Sequence, residues 1–355
     1  MRVARVEAAK QRKGAAMIRK ALGLLLWTAV SAGVALSSAG AAEKVKLKMA
    51  EVVRSQFYIP MYVALSKGFV ADEGLEVEMI TANGGDRAGA LLLSGQTEFA
   101  LAGPEVPVYI YNGESPDKPV IFCALTATDG LFLASRQKLD KFDWSMLNGK
   151  KIMGWRPGST PQLYLEYVLK QRGVAADTIK SIVTNIGMPA RDGAFIAGGF
   201  DFAIFNEPNM SKMEKAGQAN MVASIGKEVG RADYTLFFAK KSWVEKNPDL
   251  AQKWTNAIAR GQSWMKTASE KDVAEAIAPF FPGLTIEDNI AVVSRYRTVG
   301  VPIWATSTIV DPAGLAKAQE IMVVGGVLPA DKKVDYDKIV TNIYAEKAQQ
   351  KFASK

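Results

Sequence analysis

Val45-Lys-Leu-Lys-Met-Ala-Glu-Val52, Phe57-Tyr-Ile-Pro-Met-Tyr-Val-Ala-Leu-Ser-Lys67 and Leu75-Glu-Val-Glu-Met-Ile80 together decide the fold. Val45, Leu47 and Met49 alternate with Lys46 and Lys48, the two-residue period of a half-buried strand, and Leu75, Val77 and Met79 repeat it. The run over 57–67 between them reads as a helix stopped at Gly68. Strand, helix and strand in that order form a parallel unit.

The same alternation continues downstream. A helix is expected over 86–94, ending at Gly95, followed by a strand over 99–102. The pattern restarts after residue 130, with strands over 150–155, 179–186 and 200–205 and helices over 161–172, stopped by Gly173, and 190–197. Further strands are expected over 221–225 and 234–239, the second able to carry the chain back toward the first unit. Beyond Ser242 the sequence turns helical, over 249–267, 271–278, 285–299, 312–324 and 336–349. Trp254, Ile258, Gln262 and Met265 recur at near-helical spacing, a packing stripe rather than a ligand box. The fold class is therefore α/β, two α/β lobes with a C-terminal helical layer over the first. A chain of 355 residues is long for one core and ordinary for two lobes.

The N-terminus reads as a leader. Arg19-Lys20 precede an apolar run over 21–36 that is interrupted by Gly23, Thr28, Ser31 and Gly33. The run falls short of the roughly 20 apolar residues a spanning helix needs, and Ala39-Gly-Ala-Ala42 offers small residues for cleavage after Ala41 or Ala42. Counted from Met17 the leader has ordinary length. The expectation is an exported, periplasmic protein with 1–42 removed. Arg2, Arg5, Lys10, Arg12, Lys13, Arg19 and Lys20, against Glu7 alone, account for most of the chain's +8, and about +2 remains beyond residue 42. That residue of charge is too small to indicate nucleic acid.

With no histidine, the chain lacks any Ser-His-Asp triad, His-based zinc site or imidazole acid/base. One cysteine, Cys123, cannot form an internal disulfide, and inside Val120-Ile-Phe-Cys-Ala-Leu125 it reads as a small buried hydrophobe. No cofactor loop or metal cluster is present in the sequence.

Parallel α/β sheets place ligands beyond the carboxyl ends of their strands. The candidate ligand-binding residues are accordingly Gln56, Phe57, Asn83, Gly85, Asp86, Gly103, Glu105, Thr128, Asp129, Trp155, Ser159, Thr160, Asn206 and Glu207. Gly85 and Asp86, and Ser159 and Thr160, open helices whose N-termini suit an anion or a hydrogen-bond acceptor, with Thr160 expected as the N-cap and Pro161 as the first helical residue. The plainer role for Asp86 and Thr160 is helix capping. Glu105 and Glu207 follow strands directly and each adjoins a proline. Two such carboxylates could grip a ligand amine or ring N–H from both lobes, or each could pair with Arg54, Arg156 or Arg191. Phe57, Tyr58, Trp155 and Phe205 could stack on a planar ligand.

Phe57-Tyr-Ile-Pro-Met-Tyr-Val-Ala-Leu-Ser-Lys-Gly-Phe69 followed by Glu73-Gly-Leu-Glu-Val77 resembles the opening of the periplasmic solute-binding proteins for sulfonates, nitrate, taurine and thiamine pyrimidines. The segments over 84–98, 100–105 and 158–160 agree in order, and the resemblance extends over roughly 44–240. It implies a type II periplasmic binding-protein fold, lobe 1 formed by 43–129 and 236–355 and lobe 2 by 130–235, with a solute clamped between them. It implies as partners the permease and ATPase of an inner-membrane ABC importer, a monomer, and a hinge strand pair at 131–135 and 236–239. The family's enzyme branch requires a histidine and a cysteine-rich iron motif that this chain lacks, so no enzyme activity and no cofactor are expected. The two carboxylates favour a nitrogen heterocycle or zwitterion over a bare sulfonate or nitrate. The competing class is an exported isomerase or lyase working through carboxylates.

Overall fold

Ten strands form two five-stranded sheets in the computed structural model, which describes residues 43–187 and 190–352. The leader expected over 1–42 lies outside the described residues. The first sheet has the order β2-β1-β3-β10-β4, from β1 (Val45–Glu51), β2 (Leu75–Thr81), β3 (Phe99–Ala102), β4 (Pro119–Thr126) and β10 (Thr235–Lys240). The second has the order β7-β6-β8-β5-β9, from β5 (Phe132–Ser135), β6 (Lys151–Met153), β7 (Ser181–Val183), β8 (Phe202–Phe205) and β9 (Asn220–Ser224). β1 runs parallel to β2 and β3, and β6 parallel to β7 and β8. In each sheet one strand runs against its neighbours: β10 between β3 and β4, and β5 between β8 and β9. The strand expected over 234–239 does carry the chain back to the first sheet.

Two elements depart from the sequence reading. Residues 120–125 form most of β4, and Glu105–Asn112 is a helix. Val106, Pro107 and Val108 argue locally against helix, yet a proline in the first turn has no intrahelical N–H to lose. The hinge also differs. β5 and β10 lie in different sheets, so they do not form a strand pair; the chain crosses instead at 127–131 and 230–234. These crossings are tied to each other, with Ala232 N donating to Ala127 O at 3.0 Å and Thr235 N to Thr126 Oγ1 at 2.9 Å.

The helix Pro248–Met265 covers the first sheet. Its expected stripe of Trp254, Ile258, Gln262 and Met265 is buried, and Trp254 lies 4.9 Å from Phe99 and 5.2 Å from Phe237 between ring centroids. Each such fully buried large side chain contributes roughly 1.5–3 kcal/mol. Gln262 donates to the Ala124 carbonyl of β4 at 3.1 Å. A Cβ at Gly261 would stand 2.5 Å from the Pro60 carbonyl, so glycine is what lets this helix meet Ile59–Ser66. The helical tail is not confined to the first sheet. Ile286–Thr298 reaches Asn209–Lys215, where Lys215 and Asp288 pair at 2.7 Å, and Pro312–Val324 reaches Thr160–Gln171 through Lys317 and Tyr167.

Candidate functional site

A cavity of about 650 Å³ opens between the two sheets, beyond the carboxyl ends of their parallel strands. Phe57, Asn83, Gly85, Asp86, Gly103, Glu105, Trp155, Ser159, Thr160 and Asn206 all line it. Most of its remaining wall is apolar or aromatic, including Val52, Val53, Tyr58, Val106, Tyr109, Leu131, Tyr234 and Val327. Among the described residues no group of carboxylates and cysteine has metal-holding geometry.

Glu105 is the buried carboxyl group of this cavity. It begins the helix Glu105–Asn112, is 5% exposed, and its carboxylate accepts the Thr160 hydroxyl and, at 3.2 Å, the Thr160 N–H. Thr160 is the first residue of Thr160–Gln171, whose N-cap is Ser159. The expected cap is thus one residue too late, because the Thr160 hydroxyl is turned to Glu105 instead of to its own helix. A Cβ at Gly103 would clash with Thr160 Oγ1 and Glu105 Oε2 as they are placed, so glycine is what allows this approach. Burial raises the Glu105 carboxyl above the ordinary glutamate value, and the hydrogen bond from Thr160 holds the rise back. The positive end of the Thr160–Gln171 helix is therefore already filled by a carboxylate of the protein itself.

Asp86 caps nothing. It accepts both Nη atoms of Arg156, at 2.9 and 2.8 Å, and both side chains are well exposed. Tyr109 Oη donates to the Gly158 carbonyl at 2.9 Å. Glu105–Thr160, Asp86–Arg156 and Tyr109–Gly158 together join the two halves along one flank of the cavity. Arg156 is the one cation among the described residues that line it.

Gln56, Thr128, Asp129 and Glu207 do not line the cavity. Gln56 donates to Asn289 of the helical tail. Thr128 and Asp129 sit in the first crossing, where Thr128 bonds to the Gly226 and Gly230 carbonyls and Asp129 accepts the Leu131 N–H. Glu207 is fully buried, accepts the N–H and hydroxyl of Ser211, both at 3.0 Å, and pairs with Arg295 at 3.3 Å. The pairing of Glu105 with Glu207 across a ligand is thus corrected: Arg295, from the helical tail, holds Glu207 away. Nor do the expected arginines serve either glutamate. Arg54 pairs with Glu51 at 2.8 Å, and Arg191 bonds to backbone carbonyls. Phe205 is buried against Phe195 and leaves the stacking faces to Phe57, Tyr58 and Trp155. Tyr109 was not anticipated. It lies four residues after Glu105 on one helical face, a relation visible only once 105–112 is known to be helical.

A family model described as NMT1/THI5 like matches residues 56–271. The chain belongs to this family. Within reach of the NMT1/THI5-like chain is YtlA of Bacillus subtilis (strain 168), 36% identical over 302 residues, covering 85% of this chain and 89% of YtlA. Two solved structures share the fold. The periplasmic nitrate-binding protein NrtA from Synechocystis PCC 6803 matches at TM-score 0.69 and 18% identity, over 88% of this chain and 90% of that one. The alkanesulfonate-binding protein SsuA from Xanthomonas axonopodis pv. citri, bound to MOPS, matches at TM-score 0.68 and 16% identity, over 85% and 99%. This NMT1/THI5-like protein therefore has the periplasmic binding-protein fold, in its two-sheet, twice-crossed form.

Proposed function

We propose that this protein is the solute-binding component of an ABC importer, exported to the periplasm, acting as a monomer and not as an enzyme. Lobe 1 (43–129 with 236–355) and lobe 2 (130–235) clamp a small organic solute and present it to the permease and ATPase at the inner membrane. Family membership and the shared fold support this class. The solute has an apolar or aromatic body and carries an N–H or ammonium donor.

One observation carries the choice of solute: the Glu105 carboxylate lines a largely apolar cavity and occupies the helix N-terminus where a ligand anion would bind. The one lining cation among the described residues, Arg156, is neutralised by Asp86. A bare anion would meet Glu105 in a low-dielectric wall, whereas a nitrogen donor satisfies it. Phe57, Tyr58 and Trp155 offer stacking faces for a ring.

Isothermal titration of the chain from Glu43 onward against aminopyrimidines, amino acids and alkanesulfonates tests this reading. A nitrogen ligand is expected to bind, to lose about 1–3 kcal/mol in Glu105→Gln, and to be recovered unchanged after incubation. Preferred binding of a nitrogen-free alkanesulfonate, undiminished in Glu105→Gln, overturns the choice of solute. Conversion of the bound ligand overturns the carrier class.

A further inference from the structure

A second cavity of about 380 Å³ adjoins the first, and Asn83, Trp155, Arg156 and Pro157 line both. Its other walls carry Arg87, Arg191, Thr184 and Asn185, and no carboxylate lines it among the described residues. The sign of charge thus reverses within one continuous cleft.

Arg191 is the informative residue. It is 3% exposed, yet its Nη1 and Nη2 donate to neutral groups, the carbonyls of Gly154 at 2.6 Å and Ile204 at 2.8 Å. Its guanidinium lies 4.0 Å over the Trp155 ring. The neighbouring carboxylate of Asp192 is engaged by Asn209, at 2.7 and 2.6 Å. A buried cation without an ion-pair partner is costly unless a counter-charge arrives. Burial lowers the Arg191 pKa to about 10, and the neighbouring Asp192 carboxylate opposes the fall only in part. Arg87, exposed at the rim, forms no ion pair or hydrogen bond among the described residues. With Arg156 offset by Asp86, Arg87 and Arg191 are the lining cations that form no ion pair among the described residues.

We propose that this cavity is an anion subsite, in which Arg87 and Arg191, with Thr184 and Asn185 beside them, hold the oxyanion of the solute, a carboxylate, sulfonate or phosphate. Guanidinium groups suit such oxygens by their forked donor geometry. Taken with the amine reading of Glu105, on which this further step rests, the solute is bipolar: a nitrogen donor at Glu105 and an acidic group at Arg191, separated by an apolar or aromatic spacer passing Trp155.

The test uses anions that carry no nitrogen, so it does not depend on Glu105. Acetate, sulfate and inorganic phosphate are titrated calorimetrically into the protein at ionic strength held constant with chloride. One of the three is expected to bind saturably, and its identity names the acidic group. Arg87→Ala, a change at an exposed side chain, is expected to weaken that binding about tenfold or more. Arg191→Lys, which retains charge but loses the fork, is expected to weaken it as well. No saturable heat with any of the three, or unchanged affinity in Arg87→Ala, overturns the subsite and leaves the amine reading to its own experiment.

Discussion

Glu105 and Thr160, 55 residues apart in the chain, meet across the cleft, where one carboxylate accepts both the hydroxyl and the N–H that open a helix of the opposite half. The contact ties the β3 end of the first sheet to the helix that follows β6 of the second. It also sets the polarity of the cavity, because the helix end that could have drawn an anion is supplied with one from within.

Thr160→Val removes the hydroxyl donor and keeps the shape. Since that hydrogen bond lowers the Glu105 carboxyl against the upward push of burial, its loss moves the carboxyl's titration to higher pH. Carboxyl-carbon NMR of the two proteins reads the shift directly. An unchanged midpoint would show that Thr160 does not hold the charge.

Asp86→Asn separates the exposed bridge from the buried one. Both side chains of the Asp86–Arg156 pair are well exposed, so the expected loss of stability is no more than about 1 kcal/mol. The pair spans the cleft, and small-angle scattering of the ligand-free variant is expected to show a larger radius of gyration than the parent. A large stability loss without expansion would place the bridge in the scaffold.

Glu207→Gln is expected to lower stability by roughly 1–3 kcal/mol, since it takes from Arg295 one of its two carboxylate partners, Glu214 being the other, and leaves the Ser211 donors facing a neutral group in a buried place. Its carboxylate does not line the cavity, so affinity for the solute is expected to stay at the parent value below the unfolding transition. Chemical denaturation and calorimetry report the two quantities separately. A loss of affinity with intact stability would return Glu207 to the binding site.

Stability is expected to fall as pH rises through the window set by Asp129 and Asp233, one in each crossing. Burial raises both carboxyls from 3.8 to about 7. The unfolded chain ionises them above 3.8, whereas the folded protein keeps the protons until about 7. The unfolded state then binds fewer protons, and each group costs roughly 1.4 kcal/mol per pH unit across that range, levelling off above it. The Leu131 N–H at Asp129, and the Asp311 N–H and Arg231 at Asp233, oppose the rise, while the Asp311 carboxylate adds to it. Asp129→Asn and Asp233→Asn are expected to flatten the profile in thermal melts between pH 4 and 8. An unaltered slope in both would assign the pH dependence to other groups.

The sequence made local structure legible wherever burial follows a simple period. Strands β1 and β2 and the Trp254 stripe are visible because side chains facing a core must be apolar at every second or every third to fourth position, and β3 and β8 because a short strand buried on both faces is apolar throughout. The Glu105–Asn112 helix is not, since Val106, Pro107 and Val108 weigh against helix locally and only packing against β4 and the helix Gly85–Leu93 overrides it. With that helix hidden, Tyr109 is hidden too, and the sequence alone makes Glu105 a strand-end carboxylate matching Glu207.

By itself the sequence determined two successive α/β patterns, a helical tail and the absence of imidazole chemistry, because these depend on composition and on neighbours a few residues apart. Only the tertiary structure decided that Glu105 faces the cavity while Glu207 turns to Arg295, and that Arg191 is buried without a carboxylate. Those outcomes depend on which strands pair and which helices cross them, relations between residues far apart in the chain that local periodicity does not encode.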